Sequence, residues 1–125
     1  MVIVILENSP IVAERLVDLI ADKNKDITFY QAFTYEKGIT LLTQQQPAVV
    51  LLELNFAGNN ILDLLILIKA LNDKTIVFVL FSTKDKQKLA QCKTHGADYV
   101  LDKYNEFEKI PEIISGIVNS KDDNQ

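Results

Sequence analysis

The chain has a single cysteine, no basic excess and no apolar run long enough to cross a membrane. With Cys92 alone there can be no intrachain disulfide and no cysteine cluster for zinc, so a reducing, cytoplasmic setting is expected. Acidic residues outnumber basic ones by 17 to 13, and no Lys/Arg stripe offers a match to a phosphate backbone, which argues against direct nucleic-acid binding. The opening run Val2 to Leu6 has no basic flank, turns polar at Glu7, and is too short for a signal peptide or a span, so no membrane association is expected. Internal repeats and low-complexity segments are also absent. What remains is 125 residues, 48% hydrophobic and 24% charged, the size and composition of one globular domain able to bury a core without disulfides or a structural metal. The domain is expected over residues 1–120, with 121–125 as a polar tail or the start of a linker.

Strand-length apolar runs alternate with helical stretches, the pattern of βα units and a parallel sheet. Five strands are expected, at Val2 to Leu6, Ile27 to Phe33, Val49 to Leu54, Ile76 to Phe81 and Tyr99 to Leu101. The first, third and fourth are nearly all apolar, as central strands covered on both faces must be. Helices are expected from Ser9 or Pro10, over Tyr35 to Gln45, over Ile61 to Leu71, over Asp85 to His95, and from about Pro111 to Asn119. Pro47 stops the second, and Gly96 suits the left-handed position past the fourth.

An open parallel sheet gathers its chemistry beyond the carboxyl ends of its strands. The residues there are Glu7 and Asn8, Glu53, Ser82 and Thr83, and Asp102 and Lys103. Two or more carboxylates, an amide, hydroxyls and an ammonium converging on one rim could hold a cation or a phosphate-like oxyanion.

The order of these residues resembles the receiver domain of bacterial two-component response regulators over nearly the whole chain. Ile5-Leu6-Glu7-Asn8-Ser9-Pro10 is similar to the strand-one acidic cluster followed by proline. The stretch Pro47 to Asn55 resembles the segment carrying the phospho-accepting aspartate, with Gly58 in the loop after it. Ser82 falls on the Ser/Thr after strand four, and Gly96-Ala97-Asp98 leads to Lys103 as in the run to the strand-five lysine. The resemblance implies a doubly wound five-stranded parallel α/β sheet of order 2-1-3-4-5 with five flanking helices, the flavodoxin-like receiver fold. It also implies a signalling domain, not an enzyme, whose partners are a histidine kinase, an output protein or a second copy.

Several positions depart from the family pattern. Glu53 stands where the family has its phosphoacceptor aspartate, and Glu7 and Asn8 stand for the acidic pair that holds Mg²⁺. Tyr104 replaces the proline after the lysine, and Val100 takes the aromatic switch position, with Tyr99 one residue away and so on the opposite face. The extra methylene of Glu53 moves its oxygens out of line, and a misplacement of about 1 Å can cost about 10²-fold in rate. Glu7, Glu53 and Lys103 leave one net negative charge where the family pattern leaves two, so Mg²⁺ binding through Glu7, Glu53 and the Asn55 backbone is expected to be weak or lost, and no other cofactor is expected. Glu53 is expected to pair with Lys103, with Ser82 donating to it; a purely structural ion pair is the alternative. The expected function is a pseudo-receiver, a phosphorylation-independent protein-interaction module. The rivals are a receiver that still accepts phosphate, with Asp85, Asp98 and Asp102 as misplaced candidates, and a flavodoxin-like cofactor-binding enzyme, whose phosphate loop Glu7-Asn8-Ser9-Pro10 does not resemble.

The third helix has almost no polar stripe, and Ile66 and Leu67 are expected either to form an interaction surface or to dip under neighbouring segments. Lys84, Lys86, Lys88 and Lys93 face a sequence counterpart in Glu106, Glu108 and Glu112, a pairing that resembles receiver dimers, though solvated faces serve as well. His95 reads as a helix C-terminal residue and Cys92 as packing.

Overall fold

The computed structural model describes residues 1–123, apart from the side chains of Asn59 and of 121–123. Strands β1 (Val2–Leu6), β2 (Thr28–Ala32), β3 (Val49–Glu53), β4 (Ile76–Phe81) and β5 (Tyr99–Asp102) alternate with helices α1 (Pro10–Lys23), α2 (Tyr35–Gln45), α3 (Ile61–Leu71), α4 (Lys86–Thr94) and α5 (Lys109–Asp123). The strands pair in parallel in the order β2-β1-β3-β4-β5, the doubly wound arrangement expected from the sequence.

Two apolar layers sandwich the sheet, and the two-residue period of the strands deals their side chains alternately to each. Ile3, Ile5, Val49, Leu51, Phe78, Leu80 and Leu101 face α1 and α5, packing with Leu16, Ile20, Ile110 and Ile114. Val4, Leu6, Val50, Leu52, Val77 and Val79 face the other way, onto Leu42, Leu64, Leu65, Ile68 and Leu89 of α2, α3 and α4. Continuing the same alternation past the strand ends puts Glu7, Glu53 and Lys103 in phase with the α1 and α5 layer.

The helix ends follow local chemistry. Ser9 caps α1 by accepting from the Val12 N–H at 3.3 Å with Pro10 in the first turn, and Asp85 caps α4 by accepting from the Lys88 N–H at 3.0 Å. Gln46 takes a left-handed φ of 45° just before Pro47, ending α2. Gly96 holds φ +118°, and a Cβ there would sit 2.9 Å from Lys69 Cγ, so glycine is required on both counts. Strand β2 is shorter at both ends than expected and α5 longer, because α5 begins at Lys109 ahead of Pro111 and continues to Asp123. The expected tail from residue 121 is therefore helical as far as Asp123, and residues 124–125 lie outside those described.

Helix α3 splits the apolar pair. Ile66 is 52% exposed, whereas Leu67, about 100° round the helix, is half-buried against the layer beside α2. Of the two, Ile66 is the more open to a partner.

Candidate functional site

Three of the residues expected at the carboxyl rim come together. Lys103 follows β5, held there by its N–H donating to the Phe81 carbonyl at 2.7 Å. Its Nζ donates to Glu7 Oε1 at 2.7 Å, while Glu53 Oε1 lies 4.0 Å away. The ammonium thus hydrogen-bonds Glu7, which was not the expected partner, and stands at the limit of ion-pair distance from Glu53, which was. All three side chains are nearly buried, with 11% of the Lys103 side chain, 6% of Glu7 and 8% of Glu53 exposed.

The second oxygen of each carboxylate is taken by its own chain. Glu7 Oε2 accepts from the Ser9 N–H at 3.1 Å, and Glu53 Oε2 accepts from the Asn55 N–H at 2.6 Å. In both cases the acceptor lies two residues before the donor, so each carboxylate folds back on the turn that leaves its strand. Burial raises the Glu53 carboxyl above its ordinary value, with the Glu7 carboxylate adding to the rise; the Asn55 N–H bond, Lys103 and Lys88 oppose it.

The remaining candidates point elsewhere. Asn8 is exposed and donates its Nδ2 to the Phe33 carbonyl at 3.1 Å, bridging to the segment after β2. Ser82 and Thr83 are exposed, and among the described residues neither makes a side-chain hydrogen bond, so Ser82 does not donate to Glu53 as expected. Asp102 organises its own loop, accepting from the N–H groups of Tyr104 at 2.8 Å and Asn105 at 3.0 Å, which hold its carboxyl below the usual range. Asp85 is the α4 cap, and Asp98 lies at the opposite rim, where its Oδ2 accepts from the Val77 N–H and from Lys69 Nζ. Val100 is half-buried against the α2–α4 layer, while Tyr99 stacks on Phe78 of the other layer at 4.7 Å. No peptide bond among the described residues is cis, that of Lys103–Tyr104 included, and Tyr104 is 77% exposed.

The donor set fits a divalent cation poorly. One oxygen of Glu7 is occupied by an ammonium, the Asn8 amide is committed to Phe33, and among the described residues no group of three or more His, Cys, Asp or Glu side chains converges as a metal site.

Sequence reasoning missed the hydrogen-bonded loop after β5, where Glu106 accepts from the Asp102 N–H at 3.0 Å and pairs with Lys109 at 2.9 Å. The i to i+3 and i+4 spacing of Asp102, Glu106 and Lys109 was the available signal. It also missed a cleft of about 590 Å³ between α1 and this loop, for which the sequence gives no signal because its walls are 90 residues apart in the chain.

Residues 3–115 match the response regulator receiver domain family. The chain is a member of that family. Receiver domains are signalling modules that work with histidine kinases and output domains. Its fold is similar to the signal receiver domain of a DNA-binding response regulator from Colwellia psychrerythraea 34H, with a TM-score of 0.86 at 20% identity over 95% of this chain and 98% of that one. A CheY-like receiver domain protein from Methanospirillum hungatei JF-1 matches with a TM-score of 0.82 at 12% identity, over 99% and 98%. A Burkholderia pseudomallei response regulator, determined with a phosphorylated aspartic acid, a calcium ion and citrate, matches with a TM-score of 0.75 at 19% identity, over 87% of this chain and 63% of that one. No curated protein gives a significant match. No described helix is long and apolar enough to cross a membrane.

Proposed function

We propose that this receiver domain signals through protein contacts without taking a phosphoryl group at the position where its family carries the acceptor aspartate. The observation that carries this reading is the posture of Glu53, one oxygen of which accepts from the Asn55 N–H at 2.6 Å while the other lies 4.0 Å from the Lys103 ammonium. Attack on a phosphodonor needs a carboxylate oxygen in line and cations to neutralise the donor. Here the ammonium at the rim is already paired with Glu7, and the amide at Asn8 replaces a carboxylate that would otherwise attract Mg²⁺. The Burkholderia relative carries its phosphate on aspartic acid and holds a calcium ion. The extra methylene of Glu53 and the missing carboxylate at Asn8 separate this chain from that chemistry.

Glu53 on this reading is a fixed structural group that keeps the β3–α3 turn in one conformation. The output is then set by which protein docks, a histidine kinase, an output protein or a second copy, and a bacterial cytoplasm is the setting proposed. The test is intact mass after treatment with acetyl phosphate and Mg²⁺. The expected result is no added phosphate, and no amide shifts with beryllofluoride. Glu53→Asp combined with Asn8→Asp should restore those shifts. A stoichiometric phosphate on the parent chain, lost in the Glu53→Gln variant, would overturn the reading.

A further inference from the structure

The cleft between α1 and the β5–α5 loop lies beside the rim site and shares Lys103 with it. Its volume is about 590 Å³, within the ordinary range of small-ligand sites. Val12 and Phe107 supply apolar wall, Tyr104 stands exposed at its edge, and the charged lining is Arg15, Glu108 and Lys103, whose ammonium is held by Glu7. Among the described residues neither Arg15 nor Glu108 is in an ion pair, although they border the same cleft. Asp18 and Asp22, which share a shallower depression with Arg15 along α1, do not come within ion-pair distance of it either.

We propose that this cleft binds a small organic monocarboxylate with an apolar body. A guanidinium presents a planar fork that matches a carboxylate in two parallel hydrogen bonds, and Arg15 has no other anion holding it. The ring of Phe107 and the branched side chain of Val12 cover the body of such a ligand. Glu108 repels a second anionic group, which is why a monocarboxylate fits better than a phosphate ester or a dicarboxylate. Lys103 also lines the cleft while its ammonium holds Glu7 at 2.7 Å, so occupancy is felt at the rim. The inference stands on the cleft alone and does not depend on how Glu53 behaves.

The test uses 3-phenylpropionate and its uncharged counterpart 3-phenylpropionamide, titrated into the full chain and followed by amide NMR. The expected outcome is saturable shifts at Val12, Arg15 and Phe107, with a smaller shift at Glu7, and binding about tenfold weaker for the amide. Arg15 is exposed, so Arg15→Gln should keep the fold and remove the preference for the acid. Equal response to the two probes, shifts centred away from the cleft, no shift at all, or an undiminished preference in the Arg15→Gln variant would each overturn the proposal. The phosphate test on Glu53 is read by mass, so failure of one proposal is distinguishable from failure of the other.

Discussion

The two rims of the sheet each carry a lysine bound to a carboxylate, and they are built on opposite principles. At the amino rim, Lys69 Nζ meets Asp98 Oδ2 at 2.9 Å and the Thr75 carbonyl at 2.6 Å, and the same Asp98 oxygen accepts from the Val77 N–H at 2.8 Å. One ammonium serves one carboxylate, both are partly exposed, and every contact ties α3 to the entries of β4 and β5. At the carboxyl rim, one ammonium serves Glu7 and leaves Glu53 at 4.0 Å, with all three groups nearly buried. Charge is balanced where the chain needs only a clasp, and unbalanced where the family places its signalling chemistry. An ion pair is thus no guide to function by its presence; the surplus carboxylate is the informative feature.

The largest expected effect comes from removing the cation at the unbalanced rim. Lys103→Met leaves two nearly buried carboxylates without the ammonium between them, and stripping one partner from a buried pair costs about 3–5 kcal/mol. Urea unfolding near neutral pH should show a loss of that order. Glu7→Gln should cost less, since Glu53 remains as an anion for Lys103. If Lys103→Met proved no worse than a change at the amino rim, the two clasps would be energetically equivalent and the comparison would break.

A smaller effect is expected at the balanced rim. Asp98→Asn removes the charge but keeps an oxygen that can still accept from the Val77 N–H, and the pair it dissolves is partly solvated. Exposed and half-exposed pairs contribute about 1 kcal/mol or less, so the unfolding midpoint should fall only slightly. A loss as large as that of Lys103→Met would mean that the amino rim is the more strongly coupled of the two.

Most of the fold was legible because hydrophobic period is written directly in the chain. Val2 to Leu6 and Ile76 to Phe81 are apolar enough to demand cover on both faces, and the observed strands coincide with them. The strand alternation also explains why Glu7, Glu53 and Lys103 share one face. The hydrogen bonding inside the rim was not legible. Which of two carboxylates takes an ammonium is decided by differences of about an ångström in side-chain reach, and by backbone N–H groups at Ser9 and Asn55 that compete for the same oxygens. Ser82 and Asn8 show the same limit: position past a strand end places a residue at the rim without fixing where its side chain turns. Leu67 could not be told from Ile66 by hydropathy, only by how α3 is rotated on the sheet.

The smallest expected effect is also the one that tests the imbalance most directly. Burial raises the Glu53 carboxyl above its value in the unfolded chain, so the folded state holds this proton more tightly. Its contribution is therefore fully present below the unfolded value of 4.5 and is lost as pH rises through the raised folded value. Glu53→Gln does not titrate, so the difference in unfolding free energy, parent minus variant, should fall as pH rises from 4.5 towards neutrality. The measurement is a series of urea titrations of parent and variant across that interval. A difference that instead grows with pH would mean that Lys103 and the Asn55 N–H outweigh burial, that the carboxylate is held in its charged form as firmly as any balanced pair, and that the carboxyl rim differs from the amino rim only in depth.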